Sequence, residues 1–310
     1  MKSDFFKNIT LIITTYNRKV ALCETLNKLK GIIPFKQIII CNDASTDLSY
    51  YGLYKHFSEI RWITNTSNEG LISSRNRLMN LVKTEYIISL DDDAHFLTPE
   101  ALLNAINFME ENDDCGVLAF RLFWGLNKPK TTISRFKVKR VRNYVGCGHL
   151  YRTEVWKNVV VQYPDWYQFY GEEDYASLKL FKAGWHIYYF PQVLIHHRVS
   201  LKKRKRQKES QSRTRRSLHA AWSNYLIFYP RTIAYQRILY SLKEQIRLKL
   251  LKGDLKLIKY LSLAILDLIQ FTPKRQRLNF RLDNDQLRNY LNLPQAPIYW
   301  KPKKVKSIDR

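Results

Sequence analysis

Tyr86-Ile87-Ile88-Ser89-Leu90-Asp91-Asp92-Asp93-Ala94-His95-Phe96 is the stretch that decides the fold. Its apolar half has the isoleucine-rich look of a buried parallel strand. That run ends at three consecutive carboxylates, which repel one another and are costly to desolvate. A divalent cation relieves both problems. At an extended strand end, residues two apart share a side. Asp91 and Asp93 are therefore placed to serve one cation while Asp92 points elsewhere. Hard oxygen ligands suit Mg2+ or Mn2+, which keep positions open for phosphate oxygens. A solvated acidic loop after a strand is the competing reading, and the surrounding sequence weighs against it.

Upstream, the chain alternates strand-like and helix-like segments. Residues 9–15, 37–41 and 60–64 read as strands, and residues 20–29, 54–57 and 71–81 as helices. Such alternation predicts parallel βαβ units and a doubly wound α/β sheet flanked by helices. Ligands bind these sheets at the carboxyl ends of their strands. Polar clusters fall at those ends: Thr15-Tyr16-Asn17-Arg18, Asn42-Asp43 and residues 91–93. Neither a Walker lysine loop nor a GxGxxG is present, which argues against a P-loop enzyme and a dinucleotide fold.

Further along, Thr98-Pro99-Glu100 predicts a capped helix start. Residues 116–123 return as a strand, and residues 128–142 form a basic insertion, either a hairpin or a loop over the site. Gly146-Cys147-Gly148 lets the backbone pack closely against a ligand or helix. Gly171-Glu172-Glu173-Asp174 opens a helix with acids in its first turn, which complements the helix dipole. Glu173 and Asp174 also suit a general base, which must be ionised and aimed at a substrate hydroxyl. Residues 186–190 and 193–195 have strand character and end at His196-His197, candidates to complete a metal shell as neutral imidazoles.

The chain has 310 residues and a net charge of +25. Residues 1–200 hold 25 Lys+Arg against 20 Asp+Glu, whereas residues 201–310 hold 27 against 7. The expected organisation is a globular domain over 1–200 and a basic, mainly helical region over 201–310. The second part should seek a polyanion such as lipid headgroups, nucleic acid or an acidic glycan. Residues 235–252 place Leu239, Leu242, Ile246 and Leu250 on one face among lysines and arginines. This fits either a helix lying on an anionic membrane surface or one packed on the first domain. Residues 255–271 are more uniformly apolar and are expected to pack inward. The run at 202–206 and the tail from residue 301 read as mobile basic segments. Four scattered cysteines without a CxxC pair favour a reducing cytoplasm. No signal peptide is expected, and no apolar window is long enough to span a membrane.

Taken together, Thr14-Thr15-Tyr16-Asn17-Arg18, Asn42-Asp43-Ala44-Ser45-Thr46-Asp47, Asn68-Glu69-Gly70 with Arg75-Asn76, Leu90-Asp91-Asp92-Asp93, and Gly171-Glu172-Glu173-Asp174 followed by Ala183-Gly184-Trp185 resemble family 2 glycosyltransferases, which have the GT-A fold. The aspartate run looks like the family's DxD motif and the acidic helix start like its ED motif. The resemblance implies an inverting transfer from a nucleotide-diphospho-sugar to a hydroxyl of a glycan or lipid-linked acceptor, assisted by Mg2+ or Mn2+. It places Thr15, Tyr16, Arg18, Asp43, Arg75, Asp91 and Asp92 around the nucleotide, and Asp93, Asp91 and His196 at the metal, with His197 as the alternative histidine. For Arg75 a fold-stabilising ion pair is the alternative role. Asp174, with Glu173 beside it, would be the catalytic base. A basic nucleic-acid-binding protein and a nucleotidyltransferase are the competing classes. The first has no recognisable nucleic-acid module in this sequence and leaves the aspartates unexplained. The second needs a glycine- and lysine-rich phosphate loop that is missing here.

Overall fold

The computed structural model describes residues 6–47, 50–167, 169–200, 209–278 and 280–297. The basic run at 202–206 and the tail from 301 lie outside the described residues. The strands are β1 (Ile9–Thr15), β2 (Ile38–Asn42), β3 (Arg61–Thr64), β4 (Tyr86–Asp91), β5 (Ala94–Phe96), β6 (Cys115–Trp124), β7 (Lys139–Val141), β8 (Gly148–Arg152) and β9 (His186–His197). They form one mixed sheet in the order β3-β2-β1-β4-β8-β6-β9-β5, with β7 against β9. β1 runs parallel to β2 and β4, and β8 is antiparallel to β4. This is the doubly wound α/β sheet that the alternating segments predict.

Both faces of the sheet are covered, which is why its strands read as near-continuous apolar runs. Along β1 and β2, Ile9, Leu11, Ile13, Ile38 and Ile40 enter one core, and Ile12, Ile39 and Cys41 enter the other. On the first face lie α1 (Lys19–Leu29), α2 (Tyr50–His56) and α4 (Leu102–Glu111), represented by Leu22, Leu26, Leu53, Leu102 and Met109. On the second lie α3 (Leu71–Leu81) and α5 (Glu172–Lys182).

The longer helices of the basic region are α6 (Glu209–Phe228), α7 (Arg231–Leu248), α8 (Lys256–Gln270) and α9 (Asn284–Asn292). Ala220, Ile227, Phe228, Leu287 and Tyr290 join the same apolar cluster as Tyr151, Tyr175, Leu178 and Tyr189 of the sheet side. α6 meets the start of α5 at Gly171. There Asn224 donates to the Gly171 carbonyl at 3.0 Å and accepts from the Tyr167 hydroxyl at 2.6 Å.

Two local expectations come out differently. The helical segment begins after Thr98 as expected, with Pro99 and Glu100 in its first turn, but the Thr98 side chain makes no capping bond. Its hydroxyl donates to the Gln192 carbonyl and accepts from Leu194 N–H, tying the segment after β5 to β9. Residues 255–271 do not pack wholly inward. Leu257, Ala264 and Asp267 are buried, but Ile258, Ile265, Leu266 and Ile269 face outward. Within 128–142, residues 139–141 form the strand β7, and Arg121 holds the rest through the Thr132 and Ile133 carbonyls.

Gly171 has φ +84°, and a Cβ there would come within 2.6 Å of the Ala220 Cβ. Gly171→Ala is expected to lower unfolding stability by about 2 kcal/mol or more, from backbone strain plus loss of the α5–α6 contact. Urea denaturation of the two proteins measures this.

Candidate active site

The carboxyl ends of β1, β2 and β4 come together at one rim of the sheet. Thr15 and Asn42 are register partners there, and so are Thr14 and Asp91. The loop after β1 turns at Asn17, whose φ is 52°, a conformation asparagine tolerates. Asn17 N–H donates to the Ser45 hydroxyl, and Thr46 N–H donates to the Asn17 side chain, fastening the loops after β1 and β2 together. Tyr16 is exposed at this edge.

Two arginines hold the three aspartates apart. Arg75 is buried on α3 and donates to Asp91 Oδ1 at 3.0 Å, and its other nitrogen faces Glu172 Oε1 at 3.4 Å. Arg18 bonds Asp92 Oδ1 at 3.1 Å and also Asp93 Oδ2. Asp92 turns inward, where its second oxygen accepts from Thr15 at 2.9 Å. Burial, with Asp93 and Asp91 as like-charged neighbours, pushes the Asp92 carboxyl up to about 7 against the pull of Arg18. Glu172 rises to about 8 for the same reason, burial first and Glu173 next, opposed by Arg75. Burial would lower the Arg75 guanidinium, but Asp91 and Glu172 outweigh it and the net direction is up.

The outer oxygens of Asp91 and Asp93 face a histidine, and it is His197. Its Nε2 lies 3.0 Å from Asp93 Oδ1 and 3.7 Å from Asp91 Oδ2. His196, the histidine first assigned to the metal, points to the opposite face. Its Nε2 bonds the Gly125 carbonyl at 2.7 Å, and its ring lies beside His95 and Phe123. The physical cause is strand alternation, which sends neighbouring side chains to opposite faces. The parity itself is set by a bulge: Phe120 pairs with Phe190, but Arg121 pairs with Leu194.

The opposite wall is Glu173. Its Oε1 accepts from Gly146 N–H at 2.9 Å. A Cβ on Gly146 would lie 2.5 Å from that oxygen and 2.7 Å from Arg75 Nη1. Glu173, Gly146, Arg75 and Asp91 are thus one contiguous wall. Asp174 follows on α5 with its surface exposed, yet the protein crowding its carboxyl, and Glu173 next, push it up to about 6 against the pull of Arg142. Asp43 is buried and accepts from Asn65 at 2.8 Å and from Glu69 and Gly70 N–H at 2.8 and 2.9 Å, which shapes the loop before α3. Thr15 is likewise engaged, between Asp92 and the Tyr50 hydroxyl.

The donor chemistry of the rim fits a divalent cation. Each of Asp91 and Asp93 gives one oxygen to an arginine and turns the other toward His197, an O,O,N set suited to Mn2+ or Mg2+. Three further residues belong to the rim that the sequence reading gave no site role. Cys147 joins Asp91 and His197, with one ligand atom from each within 4.8 Å of the others. Trp124 Nε1–H donates to His197 Nδ1 at 2.6 Å. Glu172 is the counter-charge of Arg75.

A doubly wound sheet with paired carboxylates at a strand end, clamped by arginines and faced by an imidazole and a helix-borne acid, is the GT-A architecture. Residues 10–160 match the family model described as Glycosyl transferase family 2. The uncharacterized glycosyltransferase YwdF of Bacillus subtilis (strain 168) is 29% identical over 157 residues, which are 46% of this chain and 58% of YwdF. The chain therefore spans less than two thirds of that relative's length. S. aureus TarS 1-349, in a crystal structure with UDP-GlcNAc, superposes with a TM-score of 0.57 at 20% identity, over 86% of this chain and 82% of that one. The mannosyltransferase PcManGT from Pyrobaculum calidifontis, in complex with GDP-Man and Mn2+, superposes with a TM-score of 0.53 at 15% identity, over 86% and 75%. Residues 10–160 are thus similar to glycosyl transferase family 2, and the fold is that of the GT-A enzymes.

Because Arg75 is enclosed between two acids, Arg75→Met is expected to leave Asp91 and Glu172 uncompensated. The expected loss is about 3–5 kcal/mol of stability. Adding Glu172→Gln to Arg75→Met should recover part of that loss, and denaturant titration of the three variants tests it.

Proposed function

We propose that the chain is an inverting glycosyltransferase that moves a sugar from a nucleotide-diphospho-sugar to a hydroxyl of a glycan or lipid-linked acceptor. The observation that carries this reading is the single wall on which Asp91, Arg75, Gly146 and Glu173 meet, opposite His197. Relatives of the same fold have been crystallised with UDP-GlcNAc and with GDP-Man and Mn2+. In this reading residues 1–200 carry the chemistry and residues 201–310 the attachment to the acceptor's surroundings.

Asp91, Asp93 and His197 would hold Mn2+ or Mg2+. A bound cation supplies neutralisation of the charge that grows on the leaving diphosphate. Arg18 reaches the same edge and adds positive charge beside the phosphates, while Tyr16 and the Asp43 loop border the nucleoside. Glu173 takes the proton of the acceptor hydroxyl, and Gly146 N–H aims its carboxylate. The oxygen so released attacks the anomeric carbon opposite the diphosphate, and one displacement inverts that carbon. Glu173 is the base here rather than Asp174, because α5 turns only Glu172 and Glu173 toward the rim, and Glu172 is committed to Arg75.

Glu173→Gln should lower kcat by about 100-fold or more, the usual worth of a general base, and Asp174→Asn should change it less than about threefold. Sugar-nucleotide turnover with Mn2+ measures both, and a kcat loss confined to Asp174→Asn would reverse the assignment.

We also place the enzyme peripherally on the inner face of an anionic membrane. Among the described residues no helix is long and apolar enough to cross a membrane. Among the described residues, eleven of the eighteen exposed large apolar side chains nevertheless fall within residues 235–269. They include Leu239 on α7, Leu251 and Leu255 between the helices, and Ile258, Ile265 and Ile269 on α8, interleaved with exposed Lys243, Lys252, Lys256 and Lys259. Aliphatic stripes bordered by lysines suit a lipid interface. The same lysines would repel a second copy of this basic chain. Ile265→Ser with Ile269→Ser should weaken binding to vesicles containing anionic lipid about tenfold or more. Unchanged co-sedimentation would remove the membrane placement.

A further inference from the structure

We infer that Cys147 is a ligand of the rim's cation site, which makes it a sulfur-containing centre that holds thiophilic divalent cations, such as Zn2+ or Co2+, far more tightly than Mg2+. The inference deepens the proposed function, since it rests on the reading of the rim as a cation site.

Cys147 is aimed by backbone. It precedes β8, where Gly148 pairs with Leu90, so the cysteine stands beside the end of β4 where Asp91 begins the acidic run. The glycine before it has its N–H on Glu173, and a Cβ on the glycine after it would meet Ile195 and Leu122 at 2.9 Å. Two residues without side chains thus bring the strand end inward, and Cys147 itself is buried. One ligand atom from each of Asp91, Cys147 and His197 lies within 4.8 Å of the others. Ligands bound at ~2.0–2.3 Å around one tetrahedral centre lie about 3.3–3.8 Å apart, so the three side chains need draw in by no more than about 1–1.5 Å to close on a cation. Asp93, 3.0 Å from His197 Nε2, supplies a fourth donor. One sulfur, one nitrogen and two oxygens is a set that favours a softer cation than six oxygens do.

The proton balance is explicit. The cation displaces the thiol proton, which leaves for solvent, and a sulfur–metal bond forms. His197 presents Nε2 to the cation, and binding there needs that nitrogen free of hydrogen. A hydrogen held on Nε2 leaves for solvent or shifts to Nδ1, in which case Trp124 gives up its acceptor, so the bound imidazole is neutral.

The test is Co2+ titrated into the metal-free full chain, followed by near-ultraviolet absorption and by competition with a zinc indicator. A thiolate-to-cobalt charge-transfer band is expected in the native protein. It should be absent from Cys147→Ser and Cys147→Ala, and in these variants Zn2+ affinity should fall at least about tenfold more than Mn2+ affinity. The native band itself needs no variant to fold, and near-ultraviolet circular dichroism checks the two variants. Failure of Co2+ to bind, binding without the band, or a band that survives both variants overturns the inference. Turnover of a sugar nucleotide with Mn2+ but no cobalt band would sink this inference alone. A band without turnover would sink the proposed function and leave the thiol site standing.

Discussion

The structure depends on keeping four acids close together in a poorly solvated place. Asp91, Asp92, Asp93 and Glu172 converge where the sheet ends, with Arg18 and Arg75 standing among them. Coulomb repulsion in such a site is strong, since the local dielectric is low. The protein answers by division of labour. Arg75 and Thr15 fix the inward oxygens, Arg18 bridges two carboxylates, and the outward oxygens of Asp91 and Asp93 are left to one imidazole. Excess negative charge is thereby concentrated at one spot, which is what a cation-assisted transfer of a diphosphate ester requires.

The rest of the fold serves that arrangement. The parallel strands β1, β2 and β4 bring their carboxyl ends to a common edge. α5 brings Glu172 and Glu173 from the far side of the chain, and α6 locks the start of α5 through Asn224 and the Ala220–Gly171 approach. The basic region therefore reaches the site as well as the surface. Any force on α6 is felt at the turn that aims Glu173.

Much of this was legible in the sequence, because burial on both faces writes itself as isoleucine runs and a rim writes itself as polar residues after each run. The choices between neighbours were not legible. His196 and His197 differ only in parity, and the bulge between Phe190 and Leu194 sets that parity. Glu173 and Asp174 differ by about 100°, more than a quarter of a turn, on α5, and the direction each takes follows from the left-handed backbone of Gly171. Thr98 carries the usual signature of a cap, yet the β9 backbone offered better partners. The apolar character of 255–271 said that α8 has a hydrophobic face, but not that the core had room only for Leu257 and Ala264. Trp124 gave no signal, since its part in the site comes from the strand register that sets it beside His197.

The most direct test is anomalous diffraction from a crystal soaked with Mn2+ and a nucleoside diphosphate. The account predicts a manganese peak between Asp91 and Asp93 on the His197 side, with the diphosphate on it and Glu173 across the remaining gap. A peak elsewhere, or a bound diphosphate with Glu173 turned away from it, would contradict the account.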